Sequence, residues 1–166
     1  MARIVVFDGE CGLCNGFVSW LIRHDHGGAF LIAGSAGEVG REVIRRAGLP
    51  ADIGASTIVL WDSTSSSDDA AGVDGGAGVD WAAVQGNVGH VLTKSDAVIT
   101  ILRGLGWPWR AAVVARIVPR SWRNRVYDAV ANRRARVTAE DPACGVPPRE
   151  LITLWTSRLA TIDDLA

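Results

Sequence analysis

Residues 5–17 read VVFDGECGLCNGF: a short apolar run, an acidic turn bearing glycine, and two cysteines three positions apart. A redox dithiol, half of a zinc site and two inert thiols are the readings to separate. Arg3 to Phe7 has the β-branched composition of a strand, and Cys14 to His26 shows helical spacing, with Phe17, Leu21 and Trp20 on its apolar face. A helix that starts at the first cysteine sets Cys11 beside unpaired backbone N–H groups and the positive end of the helix dipole. Both favour thiolate, the reactive form. Cys14, one turn further in, can then attack a mixed disulfide formed at Cys11 and release the reduced partner. Zinc generally takes four ligands, and this chain offers only Cys144 and three scattered histidines beyond the pair. No metal is expected. Inert core cysteines fit poorly, since a hydrophobic core has no need of two at a helix start. The strand-end acid Asp8 does not open a D-x-D pair either, since the second acid here is Glu10.

Beyond the first helix, Gly27-Gly28 stops the chain and Ala29 to Ala33 reads as a second strand; Glu38 to Ala47 reads as a second helix, closed by Gly48 and Pro50. This alternation of strand and helix favours an α/β layer with parallel pairing. Thr57 to Trp61 is a third strand. Residues 62 to about 80, DSTSSSDDAAGVDGGAGVD, hold five acids and no base and too little apolar surface to order themselves. They are expected to form a flexible hairpin insertion, with Gly89 to Thr93 returning as an antiparallel fourth strand. Ser95-Asp96 is expected to cap a third helix through about Arg103. Helical segments follow at about Arg110 to Val118 and Ser121 to Arg136, and an amphipathic stretch at Glu150 to Leu159. There is no internal repeat. The division expected is a core at 1–106 carrying the insertion, a basic helical extension at 107–136 and a peripheral tail at 137–166.

With 166 residues and 48% apolar content, the chain can bury the core of one domain. No apolar run approaches the ~20 residues that span a bilayer. The run IVVF is too short for a signal-peptide core of roughly 7–15 residues. A cytoplasmic location without transmembrane segment is therefore expected, and there ordinary thiols stay reduced. Sixteen arginines against one lysine fit the codon bias of a GC-rich, bacterial genome.

The formal charge of −1 conceals an asymmetry, because residues 103–136 hold nine arginines and one aspartate. A solvated helical face accounts for such a run, and an anionic protein or membrane surface docking there is the functional alternative. Trp107 and Trp109 lie beside these arginines, although the seven tryptophans in the chain suit packing. No nucleic acid is expected as a partner.

Asp8, Cys11 and Cys14 in FDGECGLCN resemble the signature of the DCC family, predicted thiol-disulfide oxidoreductases of the thioredoxin-like superfamily. The similarity continues in KSDAVITIL at 94–102 and VPRSWRNRVYDAVANRR at 118–134, and covers about residues 3–136. It implies an α/β thioredoxin-like fold, a four-stranded mixed sheet flanked by helices with C-terminal helical additions. It also implies exchange with a protein or low-molecular-weight thiol or disulfide, with Cys11 as nucleophile and Cys14 resolving, and without a cofactor. Thioredoxins and glutaredoxins usually carry a cis-proline before the third strand; here Ser56-Thr57 stands in its place. Thr57 is accordingly the substrate-facing candidate on that loop.

For Asp8 two readings stand even: a base that takes a proton from Cys14, or a cap on its own turn. Its charge and that of Glu10 oppose the helix dipole at Cys11, and Cys11 is expected to be the more exposed thiol. Ser95 and Asp96 start a helix that can face the dithiol in such a fold, where free N–H groups can hold a carboxylate such as that of glutathione. Plain capping is the competing role. His24 and His26 suit the end of the first helix, and Cys144 is a spare surface cysteine, a second resolving thiol or an intermolecular disulfide partner. The reading from another class is a non-enzymatic interaction module that keeps the fold and docks an acidic partner or membrane surface through its basic helices.

Overall fold

The computed structural model describes residues 2–63, 90–132 and 149–165. Strand β1 (Arg3–Phe7) holds Ile4, Val5 and Val6 fully buried. An apolar run without alternation is what a strand covered on both faces needs, and β1 lies inside the sheet order β2-β1-β3-β4. Strand β2 (Leu31–Gly34) pairs with it in parallel, Ile4 opposite Leu31, while β3 (Val59–Asp62) pairs antiparallel, Arg3 opposite Asp62. Strand β4 (His90–Thr93) runs antiparallel to β3 at the edge. Helix α1 (Gly12–His24) supplies the crossover that parallel pairing of β1 and β2 requires. The fold is α/β and thioredoxin-like.

Side chains alternate across each strand, so Ile4, Val6, Val59 and Trp61 share one face with Val43 and Ile44 of α2 (Glu38–Arg46). Val5 and Leu60 share the other with Leu21 of α1 and with Ala97 and Ile101 of α3 (Lys94–Gly104). Helix α2 approaches so closely that a Cβ on Gly40 would lie 2.2 Å from the Gly34 carbonyl oxygen.

Several boundaries differ from the sequence expectation, each for a local reason. Strand β2 starts at Leu31 rather than Ala29 because the Asp25 carboxylate accepts the N–H groups of Ala29 at 2.9 Å and Phe30 at 3.0 Å. Strand β3 starts at Val59 rather than Thr57, whose N–H closes a turn on the Ile53 carbonyl at 3.0 Å. Asp62 is not part of a loop: it ends β3, buried, with the Arg3 guanidinium 3.0 Å from its carboxylate. The rest of the expected acidic insertion, from residue 64, lies outside the described residues.

The N-cap of α3 is Thr93, so Ser95 and Asp96 sit inside its first turn rather than capping it. Beyond α3, Trp109–Ile117 is a 3₁₀ helix and α4 spans Arg120–Ala131. Trp109 packs edge-on against Trp20, and His24 bonds the Trp20 carbonyl through Nδ1 at 2.8 Å, giving that histidine a structural place.

The tail from residue 149 is not peripheral. Helix α5 (Ile152–Ser157) buries Trp155 against Phe7, with ring centroids 5.8 Å apart. Past it, Ile32 N–H donates to the Arg158 carbonyl and Ala160 N–H to the Ile32 carbonyl, extending the sheet beyond β2. Leu165 then closes the core on the α2 side.

Candidate active site

Asp8 directly follows β1, and its Oδ1 accepts the Glu10 N–H at 2.9 Å. A side chain bonding the backbone two residues on is the local turn that aspartate favours. The Asp8 carbonyl accepts the Cys11 N–H at 3.2 Å, and the Asn15 amide pins Gly9 by donating to its carbonyl at 2.8 Å. This turn delivers Cys11 in extended conformation (φ −96°, ψ 112°) as the N-cap of α1. Its Sγ accepts the Cys14 N–H at 3.3 Å, one of the donors a helix start leaves unpaired.

Both cysteines are buried, Cys11 at 1% exposure and Cys14 at 4%. Cys11 is therefore not the more exposed thiol. As N-cap it turns its sulfur back toward the first turn, in a cluster with Phe7, Val18, Ile22, Ile32 and Trp155. Cys14 instead opens on an apolar groove of about 240 Å³ whose walls include Phe17, Ile58, Val98 of α3, and Val126 and Val130 of α4. Tyr127 lines the same groove and accepts the Ile58 N–H through its hydroxyl at 3.0 Å.

Thr57, Ser95 and Asp96 lie at the junction of the core with α4. Thr57 Oγ1 donates to the Tyr127 hydroxyl at 3.0 Å and accepts the Lys94 N–H at 3.2 Å. Ser95 Oγ donates to Asn124 Oδ1 at 2.6 Å. The Asp96 carboxylate accepts from Arg123 Nη1 at 2.8 Å and lies 2.5 Å from Arg120 Nε. These two arginines are largely buried, so neither a solvated face nor a partner-facing patch describes them; Arg110, Arg116 and Arg125 are exposed. Cys144 lies outside the described residues. Among the described residues no cluster of histidine, cysteine, aspartate and glutamate could hold a metal, and no helix is long and apolar enough to cross a membrane.

The groove walls on α3 and α4 were not identified from sequence. Tyr127 was within reach: it is the single tyrosine of the chain, and a helical tyrosine followed one turn later by Val130 marks a face that packs.

A strand ending in a dithiol at a helix N-terminus, on a four-stranded mixed sheet, defines a thioredoxin-like protein. The chain belongs to the DCC1-like thiol-disulfide oxidoreductase family, whose sequence model matches residues 5–140. It is 30% identical over 145 residues to the uncharacterized protein YuxK of Bacillus subtilis (strain 168), covering 87% of each chain. It is also 27% identical over 143 residues to a chloroplastic DCC family protein of Arabidopsis thaliana, covering 85% of this chain and 67% of that one. No solved structure matches the chain.

Proposed function

We propose that the protein exchanges a dithiol for a disulfide at Cys11 and Cys14. The observation that carries this reading is the Cys14 N–H directed at Cys11 Sγ from the first turn of α1, at 3.3 Å. A donor aimed at sulfur stabilises thiolate, as does the positive end of the helix. In the reductive direction, the Cys11 thiolate attacks one sulfur of a partner disulfide and forms a Cys11–partner bond. The other partner sulfur leaves as thiolate and takes up a proton. Cys14 then loses its proton and attacks Cys11 Sγ, expelling the second partner sulfur. The partner gains two electrons and the protein ends as the Cys11–Cys14 disulfide, which a dithiol donor reduces again. Since Cys11 is buried, the first turn of α1 must open locally for attack, and the Asp8 turn is the element that sets its resting position.

A cytoplasmic setting suits this chemistry, since a reducing thiol pool returns the pair to the dithiol. Insulin-disulfide reduction with a dithiol donor tests the reading. Wild-type protein should accelerate it and Cys11→Ser should not. Equal rates with and without the protein would leave the interaction-module reading in its place.

A further inference from the structure

The groove beside Cys14 has no charged wall, and its surroundings offer a substrate little polar pairing. The Ile58 N–H is taken by Tyr127, and Ser95 and Asp96 at the start of α3 are turned to Asn124, Arg120 and Arg123. A small charged thiol such as glutathione would place carboxylates against Phe17, Ile58 and Val98 with no partner, and uncompensated burial of charge is costly. An apolar side chain loses nothing there. The space, about 240 Å³, is below the range of roughly 300–1,000 Å³ usual for drug-sized ligands, which suits one side chain of a larger partner.

The apolar surface continues from the groove walls at Val126 and Val130 onto Trp122. Trp122, Val126 and Val130 are one turn apart along α4, share a face, and are exposed by 65%, 66% and 50%. Leu13 on α1 is half exposed across from them. The same segment is cationic: Arg125 on α4, and Arg110 and Arg116 in the preceding 3₁₀ helix, are exposed, while Asp128 is paired with Lys94 at 3.1 Å.

We infer that the groove and the α4 stripe seat an acidic polypeptide whose apolar side chain, next to the cysteine of its disulfide, enters the groove beside Cys14. This rests on the dithiol-exchange reading and names its substrate class. Burying a leucine-sized side chain is worth about tenfold to a hundredfold in affinity, and the exposed arginines speed encounter with an acidic chain until salt screens them.

The test separates binding from chemistry. Acidic nonapeptides carry Ser in place of the reactive cysteine and either Leu or Gly beside it, and binding is read by fluorescence polarisation. Matching peptides with the cysteine as a mixed disulfide report exchange. The Leu peptide should bind at least tenfold tighter than the Gly peptide, and a version with Lys in place of its acids should bind more weakly at low salt. Val126→Asp, at an exposed position that should not disturb folding, should erase the Leu preference, as should Val130→Asp. Equal binding of Leu and Gly peptides, or a preference that survives both substitutions, overturns the groove; equal binding of the Lys version overturns the acidic partner. Exchange without Leu preference would sink this inference and spare the dithiol reading. Selective binding without exchange would do the reverse.

Discussion

The hydroxyl of Tyr127 accepts the backbone N–H of Ile58 at 3.0 Å, joining α4 to the residue that precedes β3 and walls the groove at Cys14. Thr57 Oγ1 donates to the same hydroxyl at 3.0 Å. One phenol therefore satisfies a backbone donor that no strand partner reaches and fixes the helix that completes the groove. Tyr127→Phe keeps the ring and strands the Ile58 N–H, at a cost of about 1–3 kcal/mol. Chemical denaturation should show this loss with an unchanged m-value. A double-mutant cycle with Thr57→Val should give coupling between the two sites, since they share the bond.

The arginines of the basic segment separate by their partners. Asp96 receives Arg123 at 2.8 Å and Arg120 at 2.5 Å, with all three side chains largely buried. Asp96→Ala removes the carboxylate that two largely buried guanidinium groups share, and should cost about 3 kcal/mol or more. Arg116→Gln, on the exposed 3₁₀ helix, should change stability by no more than about 0.5 kcal/mol. Thermal unfolding of the two variants side by side measures the contrast; similar small effects from both would mean that Asp96 does not anchor α4.

The strands, the helix order and the dithiol were legible because they depend on local patterns: unbroken apolar runs, helical spacing, and glycine at Gly28 and Gly48, where φ is positive. What was not legible depends on partners distant in the chain. An arginine at helical spacing looks the same whether it meets water or, as Arg123 does, an aspartate 27 residues earlier. The amphipathic stretch near Trp155 was visible, but its destination against Phe7 was not. Thr57 has strand composition, yet a turn bond to Ile53 withdraws it from β3. At the site, the CxxC spacing gave both thiols, while their burial follows from Trp155 and Ile22 closing over them.

Acid should weaken α2. The Glu42 carboxyl is pushed down to about 2 by hydrogen bonds from the Arg45 guanidinium and then from Arg46. A carboxyl whose folded pKa lies below its unfolded value of 4.5 contributes stability above that value and loses it as pH falls toward 2. Wild-type and Glu42→Gln melting temperatures should therefore differ at neutral pH and converge between about pH 4.5 and 2. A constant difference across that range would show that the pair does not act through charge.

Asp8 offers the sharpest division between structural and chemical roles. If it positions Cys11, the part that matters is an oxygen accepting the Glu10 N–H at 2.9 Å, and an asparagine carbonyl can do the same. Asp8→Asn should then keep stability within about 0.5 kcal/mol and retain most of the insulin-reduction rate. Asp8→Ala, which cannot make the bond, should lose about 1 kcal/mol and slow exchange by letting the Cys11 turn wander. If Asp8 were instead the base that takes the Cys14 proton, Asp8→Asn would lower the rate by about 10²–10⁴ with little change in stability. The bond from Glu10 already holds one carboxylate oxygen in the turn, so we expect the asparagine variant to remain active. Rate and stability measured together on both variants decide between the two roles, because only a base distinguishes carboxylate from amide.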